Sequence, residues 1–309
     1  QVLIDLRDDG ALSTITIAHL DHGLRPASDA ERRAVEHHAA LRSAPVLSDR
    51  VDTAGFAREH RVGIEEAARE LRYAFFRRAA EECGASTIVT AHQAEDQAET
   101  VIMNIMRGAG LRGARGIPPE RELARGLRVI RPWLRVTRRT IEHSLEVRGL
   151  TASTDETNGL PYHQRNRVRL YVSKALRDAY PEREPAEAFS AFAERMHHAY
   201  EHLRSMAERE QAFARTPDGA LDLTHLRTLH ADLLPAVIEA WLLEAGVHYS
   251  LTQREREHVA DLVHQAETPR LMLRRGVVLT AEPAVKQGAL RLRLSLSTCL
   301  LYTSPSPRD

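Results

Sequence analysis

Cysteine is almost missing from this chain of 309 residues: Cys83 and Cys299 stand far apart and form no CxxC pair. A disulfide scaffold and a structural zinc module are excluded on that count. Lysine is equally scarce, Lys174 and Lys286 being the only two among 43 basic residues. So strong a preference for arginine reflects composition, and an isolated arginine is therefore weak evidence for phosphate binding. Net charge is absent too, 43 acidic residues matching the 43 basic ones, which argues against a generally basic nucleic-acid coat. No run of 18 apolar residues occurs, so no segment reads as a membrane span. What remains is ordinary for a globular protein, with 43% hydrophobic and 28% charged residues and a length that predicts about two domains.

The order of patterns predicts an α/β fold. Residues 14–20 (TITIAHL), 45–51, 86–92 (STIVTAH) and 127–133 (LRVIRPW) read as strands, and 29–42, 63–84, 96–108, 137–148 and 164–180 as helices. Strands alternating with helices imply a parallel sheet with helices packed on it. The Gly/Pro/Arg-rich stretch 108–126 reads as a long functional loop. After Pro181 the pattern becomes mostly helical to about Gln265. Residues 271–294 then have strand-like composition, with turns at Arg275-Gly276 and Gln287-Gly288. The expected division is a catalytic α/β domain over 1–183, a smaller, mostly helical substrate domain over 184–294, and an extraneous tail over 295–309.

Open parallel sheets bind ligands beyond the carboxyl ends of their strands, and two such ends carry polar clusters. One is His19-Leu20-Asp21-His22-Gly23-Leu24-Arg25; the other runs from Thr90 through His92, Glu95, Asp96 and Glu99 to Thr100. At positions i, i+4, i+7 and i+8, His92, Asp96, Glu99 and Thr100 share one helix face once helical. Glu95 and Asp96 are equally explained as carboxylates favoured by a helix dipole. Short His/Asp spacing in HLDH keeps a metal site open, although it matches no metal motif closely. Between Ile105 and Arg148 there are 11 arginines against 4 glutamates, and 161–177 carries five basic residues and no acidic one. Two basic blocks in a neutral chain point to polyanion contact, the alternative being a solvated face. Arg107-Gly108-Ala109-Gly110 adds glycines that let backbone approach a phosphate.

Taken in order, HLDHGLR (19–25), IEEAARELRY (64–73), TAHQAEDQAET (90–100), RGAGLRG (107–113), IRP (130–132) and DETNGLPYHQRNRVR (155–169) resemble the tRNA(Ile)-lysidine synthetase family of the N-type ATP pyrophosphatases. The likeness covers about residues 1–184 closely and the remainder loosely. It implies an ATP- and Mg2+-dependent ligase acting on tRNA(Ile) with a CAU anticodon. ATP adenylates the C2 oxygen of the wobble cytidine, and free L-lysine then replaces that oxygen and expels AMP. By the same resemblance Asp96 handles magnesium or the amine, and Glu99 holds the lysine ammonium. His92 and Thr100 line that pocket, while His22, Arg107, Gly108 and Gly110 lie toward the nucleotide. Arg165 joins the catalytic group. Arg69, Arg72, Asn166 and Arg169 suit phosphate or tRNA contact, and Asp155 and Asn158 shape their loop. For Arg69 and Arg72 a helix pairing with Glu65, Glu66 or Glu70 is the alternative. A tRNA substrate implies a cytoplasmic protein, with no membrane partner and with room for a homodimer.

The chain departs from the family pattern in places. His92-Gln93 and Glu95-Asp96 stand where the family has HH and DD, which leaves the role of Glu95 open. The family's S-G-G-x-D-S phosphate loop and the strand leading into it are expected ahead of Gln1. Without them the sheet would lack a central strand, and the chain as written would be inactive. Three other readings stay open: a tRNA thiolase of the same group, a non-catalytic tRNA-binding remnant, and a metal-dependent hydrolase.

Overall fold

In the computed structural model, residues 1–24, 28–150, 164–265, 270–283 and 290–296 are described. Arg25, Asp155 and Asn158 lie outside them. The chain forms two compact units, one of residues 1–97 with 117–155, the other of 98–116 with 156–308.

The first unit alternates helix and strand. Helix α1 (Val2–Asp8) leads to β1 (Ile17–Asp21), α2 (Ser28–Ala40), β2 (Val46–Arg50), α3 (Thr53–His60), α4 (Ile64–Cys83) and β3 (Thr87–Val89). Helix α5 (Ala94–Met106) starts in this unit and passes into the second at Ala98, where the short helix α6 (Leu111–Ala114) also lies; β4 (Glu120–Ala124), β5 (Leu127–Ile130) and α7 (Arg138–Val147) return to the first. The expected parallel pairing is present: β1 runs parallel to β2, Ile17 opposite Val46, and β3 parallel to β5, Thr87 opposite Arg128. The described strands nevertheless form two sheets, β1-β2 and β3-β5-β4, with β4 antiparallel. Under the first sheet Ile4, Ala39 and Ala44 pack with Ile17 and Val46.

Two expectations are corrected here. Residues 108–126 are not one long loop, because α6 and β4 lie inside it. The hairpin β4-β5 closes through Arg125-Gly126, where Gly126 has φ +78°, a conformation that favours glycine. Helix α3 was not foreseen. It is short and holds a glycine, but Asp52 caps it by accepting from Gly55 N at 2.8 Å. Thr137 caps α7, its hydroxyl accepting from Thr140 N.

The second unit has α8 (Gln164–Arg167), a π-helical turn at Val168–Val172, α9 (Ser173–Ala179) and the 30-residue α10 (Pro185–Ala214). Then come β6 (Leu221–Asp222), α11 (Leu223–Leu226), α12 (Leu233–Glu244), α13 (Gln253–Gln265), β7 (Arg270–Met272), β8 (Val277–Pro283) and β9 (Leu290–Leu296). The strands make an antiparallel sheet in the order β6-β9-β8-β7. The strand-like composition of 271–294 thus corresponds to β7, β8 and β9, with Leu279 and Leu292 in this unit's core, while Gln287-Gly288 lies outside the described residues. Helix α12 is apolar nearly all round because it is central: Leu234, Val237, Ile238, Trp241 and Leu242 join Leu223, Leu262, Leu279 and Leu292 in one buried cluster. Glu255, in the first turn of α13, accepts from Tyr249 Oη (2.5 Å), Thr252 N (2.8 Å) and Arg274 Nε (3.0 Å). Burial opposes its charge, yet these hydrogen bonds hold its carboxyl down to about 2, while burial and Glu255 push Tyr249 up to about 12.

Candidate functional site

In the first unit the site begins where β1 ends. Asp21 is 2% exposed; one carboxylate oxygen accepts from Gly23 N at 2.8 Å, and the other lies 3.5 Å from Arg50 Nε. Gly23 turns the chain at φ +63°, and a Cβ there would stand 2.7 Å from Val51 O, so the turn requires glycine. This fixes His22 between α3 and α4. Its Nδ1 is 3.3 Å from Thr53 Oγ1, and its Nε2 is 3.2 Å from Arg72 Nη2. A guanidinium can only donate, so Nε2 accepts and Nδ1 carries the proton toward Thr53. Burial first and Arg72 second, opposed by Asp21, lower the His22 pKa to about 4, and the imidazole is neutral at pH 7.

The second cluster follows β3. The helix begins at Ala94, so His92 is not on the helical face that its spacing suggested; it precedes the helix, with Nδ1 2.9 Å from Thr90 Oγ1. Asp96 accepts from Gln93 N at 3.0 Å and so also caps α5. Glu95 turns to α7, both carboxylate oxygens accepting from Arg138 N at 2.9 and 3.0 Å. That gives Glu95 a structural role: it anchors the start of a neighbouring helix. Gln97 exchanges two hydrogen bonds with the backbone of Ile117.

Arg69 and Arg72 are three apart but have different neighbours. Arg72 faces His22, whereas Arg69 lies 5.2 Å from the Tyr73 ring centroid. Tyr73 also carries Arg121 over its ring at 4.6 Å and accepts from Arg131 Nη2 at 3.3 Å. Burial raises the phenol's pKa, but Arg69, Arg131 and Arg121 together bring it below the usual value. Arg121 and Arg131 were not singled out in the sequence; the arginine-rich composition hid them.

In the second unit Glu99, 1% exposed, is gripped by two arginines. Arg169 donates from Nε to Oε1 at 2.6 Å and from Nη2 to Oε2 at 3.2 Å; Arg165 Nε lies 2.9 Å from Oε2. Arg165 Nη2 also donates to Thr100 Oγ1 at 2.9 Å, and Arg107 Nη2 to Gln164 Oε1 at 2.9 Å. Glu99 and Thr100, expected to line one pocket, are thus joined by Arg165 and Arg169, expected toward the nucleotide and tRNA. Asn166 is half-buried on α8 beside them in sequence. Gly108 has φ +71°, while Gly110 is extended and caps α6; neither has a heavy atom within 4 Å of where a Cβ would stand. Gly113 is the tight one, its Cβ position lying 2.3 Å from Ala109 Cβ.

Among the described residues no three His, Cys, Asp or Glu side chains gather into a metal-ligand set. No helix among them is long and apolar enough to cross a membrane.

The PP-loop domain family matches residues 1–176. The tRNA(Ile)-lysidine synthase of Thermus thermophilus is 32% identical over 296 residues, 94% of this chain and 52% of that protein. That of Deinococcus deserti is 34% identical over 89% of this chain and 47% of its own length, and that of Geobacter sulfurreducens 40% identical over 50% and 32%. The chain thus spans about half the length of the first of these relatives. Among solved structures, the U34-tRNA thiolase NcsA from Methanococcus maripaludis aligns with a TM-score of 0.48 at 12% identity, over 59% of this chain and 62% of that one. With a match across more than half its length, the chain belongs to the PP-loop domain family.

Proposed function

We propose that the protein is an ATP-dependent tRNA(Ile)-lysidine synthetase, a carbon–nitrogen ligase of the cytoplasm. The observation that carries this reading is the similarity along 94% of the chain to a tRNA(Ile)-lysidine synthase, joined to a site whose polar groups suit each step. Its substrates are tRNA(Ile) with a CAU anticodon, ATP and free L-lysine, and homodimer formation belongs to the same reading. In this division residues 1–183 carry the chemistry and 184–294 recognise tRNA.

Adenylating the wobble cytidine at its C2 oxygen makes that oxygen a leaving group and releases pyrophosphate. Nucleotide-bound Mg2+ takes one or two carboxylates besides phosphates and water; Asp96, at a helix start after a strand, is a group of that kind. Bound there, the ion offsets the negative charge of the phosphates. Neutral His22, its two ring nitrogens turned to Thr53 and Arg72, lies toward the nucleotide as an uncharged ring that orients Arg72. Gly108 and Gly110 leave backbone open to a phosphate, with Arg107 alongside. For the second step the amine must lose a proton before attacking C2. Glu99 receives the ammonium with Thr100 next to it in sequence, and the resemblance assigns His92 to the same step. Arg165, Asn166 and Arg169, with Arg69 and Arg72, contact phosphates of ATP or tRNA.

The test supplies the full-length protein with ATP, Mg2+, labelled lysine and an unmodified tRNA(Ile) transcript. The reading expects AMP and pyrophosphate release that requires both tRNA and lysine, with the label entering the tRNA. ATP turnover with sulfur transfer, or tRNA binding without turnover, would replace it by the thiolase or the binding remnant.

A further inference from the structure

Glu99 presents a difficulty for any amine that needs it. Its carboxylate is already balanced: Arg169 covers both oxygens, and Arg165 Nε lies 2.9 Å from Oε2. Two guanidiniums against one carboxylate leave an excess positive charge that repels an incoming ammonium. The two arginines are not locked away as Glu99 is, however, since their side chains keep 35% and 22% exposure against 2% for Glu99. Arg169 also sits on the π-helical turn Val168–Val172, where the α-helical hydrogen-bond register is broken between α8 and α9. Single π-helical turns are rare and recur at functional sites.

We propose that Arg165 and Arg169 form a counter-ion latch: phosphate oxygens draw the two guanidiniums off Glu99, and only then does its carboxylate accept the substrate ammonium. This rests on the lysine-ligase reading of the site and adds to it an order of binding. Guanidinium pairs with phosphate as well as with carboxylate, through the same bidentate geometry, so the exchange trades like for like. Uncovering Glu99 with nothing in return would strand a buried charge and is strongly disfavoured. The amine and the polyanion therefore each make the other's site. Linkage requires the effect to be reciprocal. Lysine is kept out until the phosphate-bearing substrate is in place. Either the ATP phosphates or the tRNA backbone can supply the anion.

Equilibrium dialysis of labelled lysine against the full-length protein tests this in four arms: alone, with ATP and Mg2+, with an anticodon stem–loop RNA, and with both. The latch expects lysine to bind about tenfold more tightly, or better, once ATP or RNA is present, within the usual range of coupling between sites; the arm that produces the change names the anion. Arg169→Gln takes one guanidinium off Glu99, so lysine should bind that variant more tightly than wild type without any anion, and the anion's enhancement should shrink severalfold. Arg165→Gln serves as the second variant if the first fails to fold. Equal lysine affinity with and without both anions in wild type, or undiminished enhancement in the folded variants, overturns the latch while leaving the ligase reading standing. No lysine binding in any arm overturns both.

Discussion

Replacing Glu99 by glutamine is the most informative single perturbation of the site, because it keeps shape and removes charge. One oxygen survives to accept from Arg169, but the new amide must face a guanidinium, Arg165 Nε at 2.9 Å or Arg169, donor against donor. A hydrogen bond to a charged group contributes roughly 1.5–3 kcal/mol, and removing one partner of a buried pair costs roughly 3–5 kcal/mol. The upper figures do not apply, because side-chain exposures of 35% and 22% let both arginines turn to water once released. We expect Glu99→Gln to cost about 2 kcal/mol, a fall of roughly 4–8 °C in the melting midpoint of its unit. Thermal unfolding followed by circular dichroism reads this directly. A double-mutant cycle with Arg169→Gln should show a combined loss clearly smaller than the sum. An unchanged midpoint, or strict additivity, would mean that the carboxylate does not hold α8 and the π-helical turn, and the reasoning about the clamp would be wrong.

The other predictions concern separate links. Asp96→Asn keeps an oxygen for Gln93 N and so keeps the cap of α5; kcat should fall at least about 100-fold with tRNA affinity unchanged in a filter-binding assay, and surviving turnover would remove Asp96 from the chemistry. The lowered His22 pKa means that folding favours the neutral ring: its contribution is complete above about pH 6.5 and lost as pH falls toward 4. Urea unfolding across that window should show a pH dependence that His22→Gln lacks. Glu255, also depressed, contributes above about 4.5 and loses its effect only as pH falls toward 2, so Glu255→Gln should flatten a later, more acidic loss. Gly23→Ala meets Val51 O at 2.7 Å in a left-handed conformation and should cost about 2 kcal/mol or more; a neutral effect on the urea midpoint would show that the β1 turn is not so fixed.

Much of the first unit was legible because its signals are local. Helix α4 has a long amphipathic stripe closed by Gly84, α7 has its Thr137 cap, and the buried strands are short and β-branched. What escaped was of two kinds. Helix α3 is only eight residues with Gly55 inside it, too short for periodicity to register, though Asp52 as a cap was a readable hint. The β4-β5 hairpin was hidden by arginine and proline, although Arg125-Gly126 between two short alternating runs is a turn signal. At the site, residue types were readable and partners were not. Nothing local says that Glu99 meets Arg165 and Arg169, 66 and 70 residues later, or that Glu95 is used at the start of α7. Those pairings come from tertiary packing.

The central claim is tested most directly by digesting tRNA(Ile), incubated with the full-length protein, ATP, Mg2+ and lysine, to nucleosides and identifying the wobble position by mass spectrometry. The account predicts that cytidine there is converted to its lysine adduct, and only when ATP and lysine are both present. Unmodified cytidine after complete incubation, or a sulfur-containing nucleoside in its place, would contradict it.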